Sequence, residues 1–208
     1  MHAEKTTRSY TMNTSAKNNK IGCIIMASGL GIRFGGNKLM ADFGGVPMVT
    51  HILNKATSCF TNVVVVTRNE GVLKLCKERD IKVIFHDLPY KSDTVRLGIE
   101  SLDEKLDGAV FCPADQPFLS VDTLNKMIAS ATAEPQRIWR TSAQGVIGSP
   151  NYFPRNLFPE LIALPEDNGG SYVCKKHPDL IKMLEIENPL EIKDIDTKET
   201  YEELLSLI

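Results

Sequence analysis

A continuous apolar run, Ile21-Gly-Cys-Ile-Ile-Met-Ala27, leads directly into a loop with four glycines in ten positions, Ser28 to Asn37. Apolar side chains on every position, rather than on alternate ones, suit a strand covered on both faces, as in a parallel sheet. Glycines there let the backbone turn its N–H groups onto an anion, and Arg33 and Lys38 add charge-assisted bonds to phosphate oxygens. Two familiar phosphate motifs fail. A P-loop needs Gly-Lys-Ser/Thr at its end, whereas here Asn37 precedes Lys38 and Leu39 follows it. A dinucleotide fingerprint needs its third glycine one position earlier than Gly35. That makes a dinucleotide-dependent oxidoreductase a poor reading.

The chain beyond the loop alternates. Pro47 to Cys59 reads as a helix, Asn62 to Thr67 as a buried strand, Glu70 to Arg79 as a helix and Ile81 to Phe85 as a short strand. The segment 94–106 is amphipathic and helical, Gly108 to Cys112 is a fourth strand, and Ser120 or Asp122 caps a helix running to about Ala133. Strand candidates follow near 137–142 and 181–193, then a helix from about Lys198 with Asp196 and Glu199 spaced as a capping box. This order predicts an α/β fold with a mostly parallel sheet and helices on both faces. Ligands of such sheets bind beyond the carboxyl ends of the strands, so the loops after Ala27, Phe85 and Cys112 should converge. Residues 1–20 are polar and are expected to be a disordered tail, with one domain over 21–208.

Composition removes several classes. Lys and Arg total 24 against 26 Asp and Glu, a formal net charge of −2, which argues against a nucleic-acid binder. No apolar stretch approaches membrane-spanning length. Five cysteines without a CxxC pair, and four histidines without zinc spacing, point to a reducing, cytoplasmic setting.

The pattern A-x-G-x-G-x-R-F-G-x-x-K-L, Ala27 to Leu39, resembles the signature loop of the nucleotidyltransferases that activate sugars and cofactors, the MobA-like NTP transferases. Gly44-Gly-Val-Pro-Met48 resembles the segment that follows it there. Among that family's branches the chain most resembles the molybdenum cofactor cytidylyltransferases, through Ser92-Asp-Thr-Val-Arg96-Leu-Gly98, Ala114-Asp-Gln-Pro117, Gly148-Ser-Pro-Asn-Tyr-Phe-Pro154, Asp167-Asn-Gly169 and Asp194-Ile-Asp-Thr197. The resemblance covers residues 21–208. It implies a Rossmann-like single domain, Mg²⁺ as cofactor, CTP and a molybdopterin-type phosphate as substrates, and a molybdenum hydroxylase as recipient of the product.

The resemblance also assigns roles. Ala27, Ser28, Gly29, Gly31, Gly35, Thr94 and Arg96 would surround the nucleotide, with Arg33, Lys38 and Asp115 catalytic. Asp115, Asp194 and Asp196 would hold the metal. Gly148, Pro150, Phe153 and Asp167 would face the acceptor. Competing readings are an N-cap for Ser92 or Asp196, a structural ion pair for Arg96, and plain core or rim aromatics for Tyr152 and Phe153. One departure stands out: Ser149 occupies the place where the cytidylyl branch usually shows His. Ala27-Ser28-Gly29 departs from the two glycines usual in the guanylyl branch and favours CTP. The rivals are guanylyl transfer to the same cofactor, transfer to a sugar or isoprenoid phosphate, and a non-catalytic chaperone that delivers the cofactor.

Overall fold

The computed structural model describes residue 17 and residues 20–208. The expectation of a disordered tail over 1–20 falls almost wholly outside the described residues. Seven strands form one sheet in the order β3-β2-β1-β4-β6-β5-β7. They are β1 Ile21–Ala27, β2 Val63–Thr67, β3 Lys82–Phe85, β4 Gly108–Pro113, β5 Ile138–Ala143, β6 Val146–Pro154 and β7 Ile181–Glu185. Pairing is parallel for β1 with β2 and β4, for β2 with β3 and for β5 with β7. Only β6 runs the other way, antiparallel to β4 and β5. The predicted α/β architecture holds, with that one reversed strand added.

β6 was not anticipated as a strand. Its N-terminal residues Val146 and Ile147 are exposed, and Gly148 and Pro150 interrupt it, so it lacks the apolar run that marks β1. The β5–β6 hairpin turns on Gln144 and Gly145, both at positive φ (51° and 79°), the conformation of a tight two-residue hairpin.

The helices are α1 Val49–Cys59, α2 Glu70–Glu78, α3 Lys91–Glu100, α4 Val121–Ala133, α5 Phe158–Ile162, α6 Gly170–Lys176 and α7 Lys198–Leu205. Side chains on one face of β1 and β4 (Cys23, Ile25, Val110, Cys112) pack under α1, α2, α4 and α7. Those on the other face (Ile24, Ala109, Phe111) pack under α3, α5 and α6. This two-sided burial explains why β1 shows no polar alternation. All five cysteines are free and buried. Among the described residues no helix is long and apolar enough to cross a membrane.

Three boundaries differ from expectation. Helix α3 starts at Lys91 rather than 94, because the Asp93 carboxylate accepts from the Tyr90 N–H and closes the first turn; it ends at Glu100 rather than 106. Ser92 is therefore a buried helical residue and not the cap. The predicted strand over 181–193 stops at Glu185, and Pro189–Ile192 forms a 3-10 turn instead. The last helix is capped by Thr197, whose hydroxyl accepts from the Thr200 N–H at 3.2 Å, so Asp196 is free for other work.

Candidate active site

The first turn of the glycine loop is fixed by Gly31. Its φ of 63° is left-handed, and a Cβ there would lie 2.3 Å from the Gly36 carbonyl oxygen, so only glycine fits. The N–H groups of Phe34, Gly35 and Gly36 all donate to the Gly31 oxygen. The loop's second half therefore spends its amides on itself. Those of Gly29, Leu30 and Gly31 have no protein acceptor among the described residues, and these residues line a cavity of about 720 Å³. Phe34 anchors the turn against Tyr201 of α7, edge to face at 5.5 Å.

Beneath the loop lies Lys38, which is buried. Its ammonium donates to Asp115 Oδ2 at 2.6 Å, to the Ile195 carbonyl at 2.9 Å and to Asp196 Oδ1 at 3.0 Å. Arg33 donates to the other oxygen of Asp196 at 2.9 Å. Asp115 follows β4 and Asp196 precedes α7, so three distant segments meet on two cations. Burial alone would lower the Lys38 pKa, but the Asp115 and Asp196 carboxylates outweigh it and hold the ammonium above its ordinary value. Burial likewise pushes Asp196 up, yet Lys38 and Arg33 outweigh that and place it below the usual carboxylate range. Asp194 differs. Partial burial of its carboxyl, then the nearby Asp115 charge, raises it, although the Gln116 amide donates to it at 2.8 Å.

The three aspartates thus form an acidic cluster short of positive charge at Asp194. No group of three or more His, Cys, Asp or Glu side chains among the described residues is arranged to hold a metal ion alone. Hard carboxylate oxygens of this kind suit Mg²⁺ or Mn²⁺, which take their remaining ligands from phosphates and water. The residues present fit a metal that arrives with a nucleotide.

Ser28 opens the loop. Its hydroxyl donates to the Val66 carbonyl at 3.1 Å and pairs with His86 Nε2 at 2.8 Å. Because the hydroxyl has one proton and Val66 receives it, His86 must donate through Nε2–H. Burial, then the Arg68 charge, lowers the His86 pKa, consistent with a neutral ring.

Of the remaining expected residues, Thr94 and Asp167 line the 720 Å³ cavity with Ser28, Gly29, Gly31, Arg33, Lys38 and Asp115. Ala27 and Gly35 do not: Ala27 is buried beneath the loop, where its carbonyl accepts from the Thr67 hydroxyl, and the Gly35 N–H bonds within the loop. Arg96 is not brought to the cavity. It pairs along α3 with Asp93 and Glu100, both at 3.2 Å, as the structural reading supposed. A second cavity, of about 430 Å³, adjoins the first across Met26, Lys91 and Asp194. Gly148 and Phe153 line it, whereas Pro150 is buried with its carbonyl bound by the Thr141 hydroxyl. Asp167 lines the first cavity rather than this one. Tyr152 belongs to the core, its hydroxyl donating to the Pro135 carbonyl. Sequence reasoning missed His86, Lys91 and Arg140; none lies in a glycine-rich or apolar-run motif.

Glycine-loop amides, a lysine and an arginine on an acidic cluster, all at the carboxyl ends of parallel strands, define a nucleotidyltransferase. The chain belongs to the MobA-like NTP transferase domain family, whose model matches residues 23–180. Purine catabolism protein PucB of Bacillus subtilis is 29% identical over 197 residues, 86% of this chain and 93% of that protein. A probable molybdenum cofactor guanylyltransferase of Bacillus cereus is 30% identical over 115 residues, 53% of this chain and 56% of that protein. The crystal structure of Rv0371c from Mycobacterium tuberculosis superposes with a TM-score of 0.82 at 20% identity, covering 91% of this chain and 100% of that one. Its manganese complex covers the same shares at 20% identity, with a TM-score of 0.77.

Proposed function

We propose that the chain transfers CMP from CTP to the terminal phosphate of a molybdopterin-type acceptor, with Mg²⁺ as cofactor and pyrophosphate as the other product. The observation that carries nucleotidyl transfer is the Lys38 ammonium seated between Asp115 and Asp196 under the glycine loop. CTP is supported by Ser28, which stands where the guanylyl branch usually shows a glycine and whose hydroxyl is tied to Val66 and His86 at the start of the loop.

In this reading an acceptor phosphate oxygen attacks the α-phosphorus. A new P–O–P bond forms, the bond to the β-phosphate oxygen breaks, and that oxygen leaves with the electron pair as pyrophosphate. The acceptor phosphate has a second pKa near ~6 and is largely dianionic at neutral pH, so no side chain need remove a proton. Among the described residues no histidine lines either cavity, in keeping with this. The free amides of Gly29 to Gly31 hold phosphate oxygens, and Arg33 and Lys38 stabilise charge on the departing pyrophosphate. Asp115 and Asp194, with Asp196 beside them, would hold Mg²⁺, which supplies Lewis-acid polarisation of the phosphates.

A second reading, guanylyl transfer, is favoured by the Bacillus cereus relative. Thermal unfolding with each of CTP, GTP, ATP and UTP separates them. A ligand at 100 times its Kd adds about 2.7 kcal/mol to folded-state stability. We expect CTP with Mg²⁺ to raise Tm and EDTA to abolish the rise, followed by pyrophosphate release on adding molybdopterin. A rise with GTP alone replaces the base assignment. Nucleotide binding without pyrophosphate release on adding molybdopterin would sink the transfer reading.

A further inference from the structure

The second cavity holds two cations without counter-ions among the described residues. Arg140 lies in the middle of β5, directly opposite Asn151 of β6. Its Nε donates to Asn151 Oδ1 at 3.4 Å, and Asn151 Nδ2 in turn donates to Ser149 Oγ at 3.0 Å. This chain of bonds fixes the guanidinium's orientation and leaves its two terminal nitrogens without a protein acceptor among the described residues. Cys174 of α6, whose thiol the Arg140 charge influences, also lines the cavity. Lys91, the first residue of α3, lines both cavities and has no ion-pair partner among the described residues. A cation at a helix start opposes the helix dipole, so it gains nothing from its own helix. Among the described residues the only carboxylate in the lining of the second cavity is Asp194, at its boundary and already bonded by Gln116.

A half-buried guanidinium held in place and left unpaired is poorly compensated until an anion joins it. Planar Arg binds phosphate through two parallel bonds. Buried Val95, Phe111 and Phe153 back a lining that is otherwise largely polar, with Gln116, Asn151 and Ser171.

We propose that Arg140 anchors an anionic group of the acceptor in this second cavity, and that Lys91 holds the acceptor and the nucleotide phosphates together where the two cavities meet. The ligand class is a phosphorylated small molecule. That this molecule is molybdopterin rests on the cytidylyl-transfer reading above; the anion site does not.

Equilibrium dialysis of molybdopterin against the full chain tests it, with CTP-induced thermal shifts measured on the same proteins. Arg140→Gln should raise the Kd for molybdopterin at least tenfold and leave the CTP shift unchanged. Arg140→Lys should recover part of the loss, since it restores charge without the planar fork. Lys91→Gln should weaken both ligands. An unchanged Kd in Arg140→Gln overturns the inference while leaving nucleotidyl transfer intact. If the wild type ignores molybdopterin, inorganic phosphate added at saturating CTP decides. A stabilisation lost in Arg140→Gln keeps the anion site and removes molybdopterin as acceptor, and one that is absent or insensitive to Arg140 overturns the site.

Discussion

Lys38→Met removes an ammonium that two carboxylates and a carbonyl share. Breaking a buried ion pair by deleting one partner costs about 3–5 kcal/mol, because the other charge stays behind uncompensated. Here the carboxylates keep 20% (Asp115) and 37% (Asp196) of their side-chain exposure, so water screens part of the loss. The expected cost is about 2 kcal/mol at neutral pH. In a chain of this size that lowers Tm by roughly 4–8 °C. The sequence alone suggests an exposed loop, and hence a change in turnover with little effect on stability; burial of the ammonium corrects that, and both should fall. The pH dependence is the sharper check. Asp196 sits below the usual carboxylate range, so its pairing contributes stability above the unfolded carboxylate value of about 3.9 and loses it as pH falls through the folded value. The variant lacks the Lys38 share of that contribution, while Arg33 keeps its own. Urea unfolding of both proteins should therefore show a gap at pH 7 that is smaller at about pH 3. A gap of equal size at both pH values, or none at pH 7, would refute the electrostatic account.

Asp194→Asn tests the acidic cluster from the other side. Because burial and the Asp115 charge raise the Asp194 pKa, the folded protein loses stability as pH rises from the ordinary carboxylate value through the raised one. The variant should lose that decline in stability–pH curves and bind Mg²⁺ with nucleotide more weakly in calorimetry; an unaltered curve would remove Asp194 from the cluster. Gly98→Ala places a Cβ 2.6 Å from Ile24 Cγ2, where α3 crosses β1. Overpacking of this kind costs about 1–3 kcal/mol, and unchanged urea stability would mean that the helix can lift without penalty.

The sequence announced those parts of the molecule whose chemistry is local. β1, β2 and β4 carry continuous apolar runs because both faces are covered, and the glycine loop carries its own signature. Lys38 and Asp115 could be named from motifs, but not their contact, which joins residues 77 positions apart. Arg140 and Lys91 escaped notice for a similar reason. They converge because the sheet runs from β4 through the reversed β6 before reaching β5, and β6, with exposed and glycine-bearing positions, gives no strand signal. Arg96 misled because a polar residue beside a motif looks functional until its neighbours on the same helix are seen to neutralise it.

The segment 193–197 returns from the far edge of the sheet to its centre. There the Ile195 N–H donates to the Asp115 carbonyl, and α7 brings Leu204 and Tyr201 back under α1 and the glycine loop. During synthesis this stretch follows all seven strands. A nascent chain that has already laid down β1 to β4 holds the glycine loop, Lys38 and Asp115, yet lacks Asp194, Asp196 and the carbonyl that receives the Lys38 ammonium. The acidic cluster proposed to hold the metal is therefore completed late on the ribosome, after the phosphate-facing loop has been made.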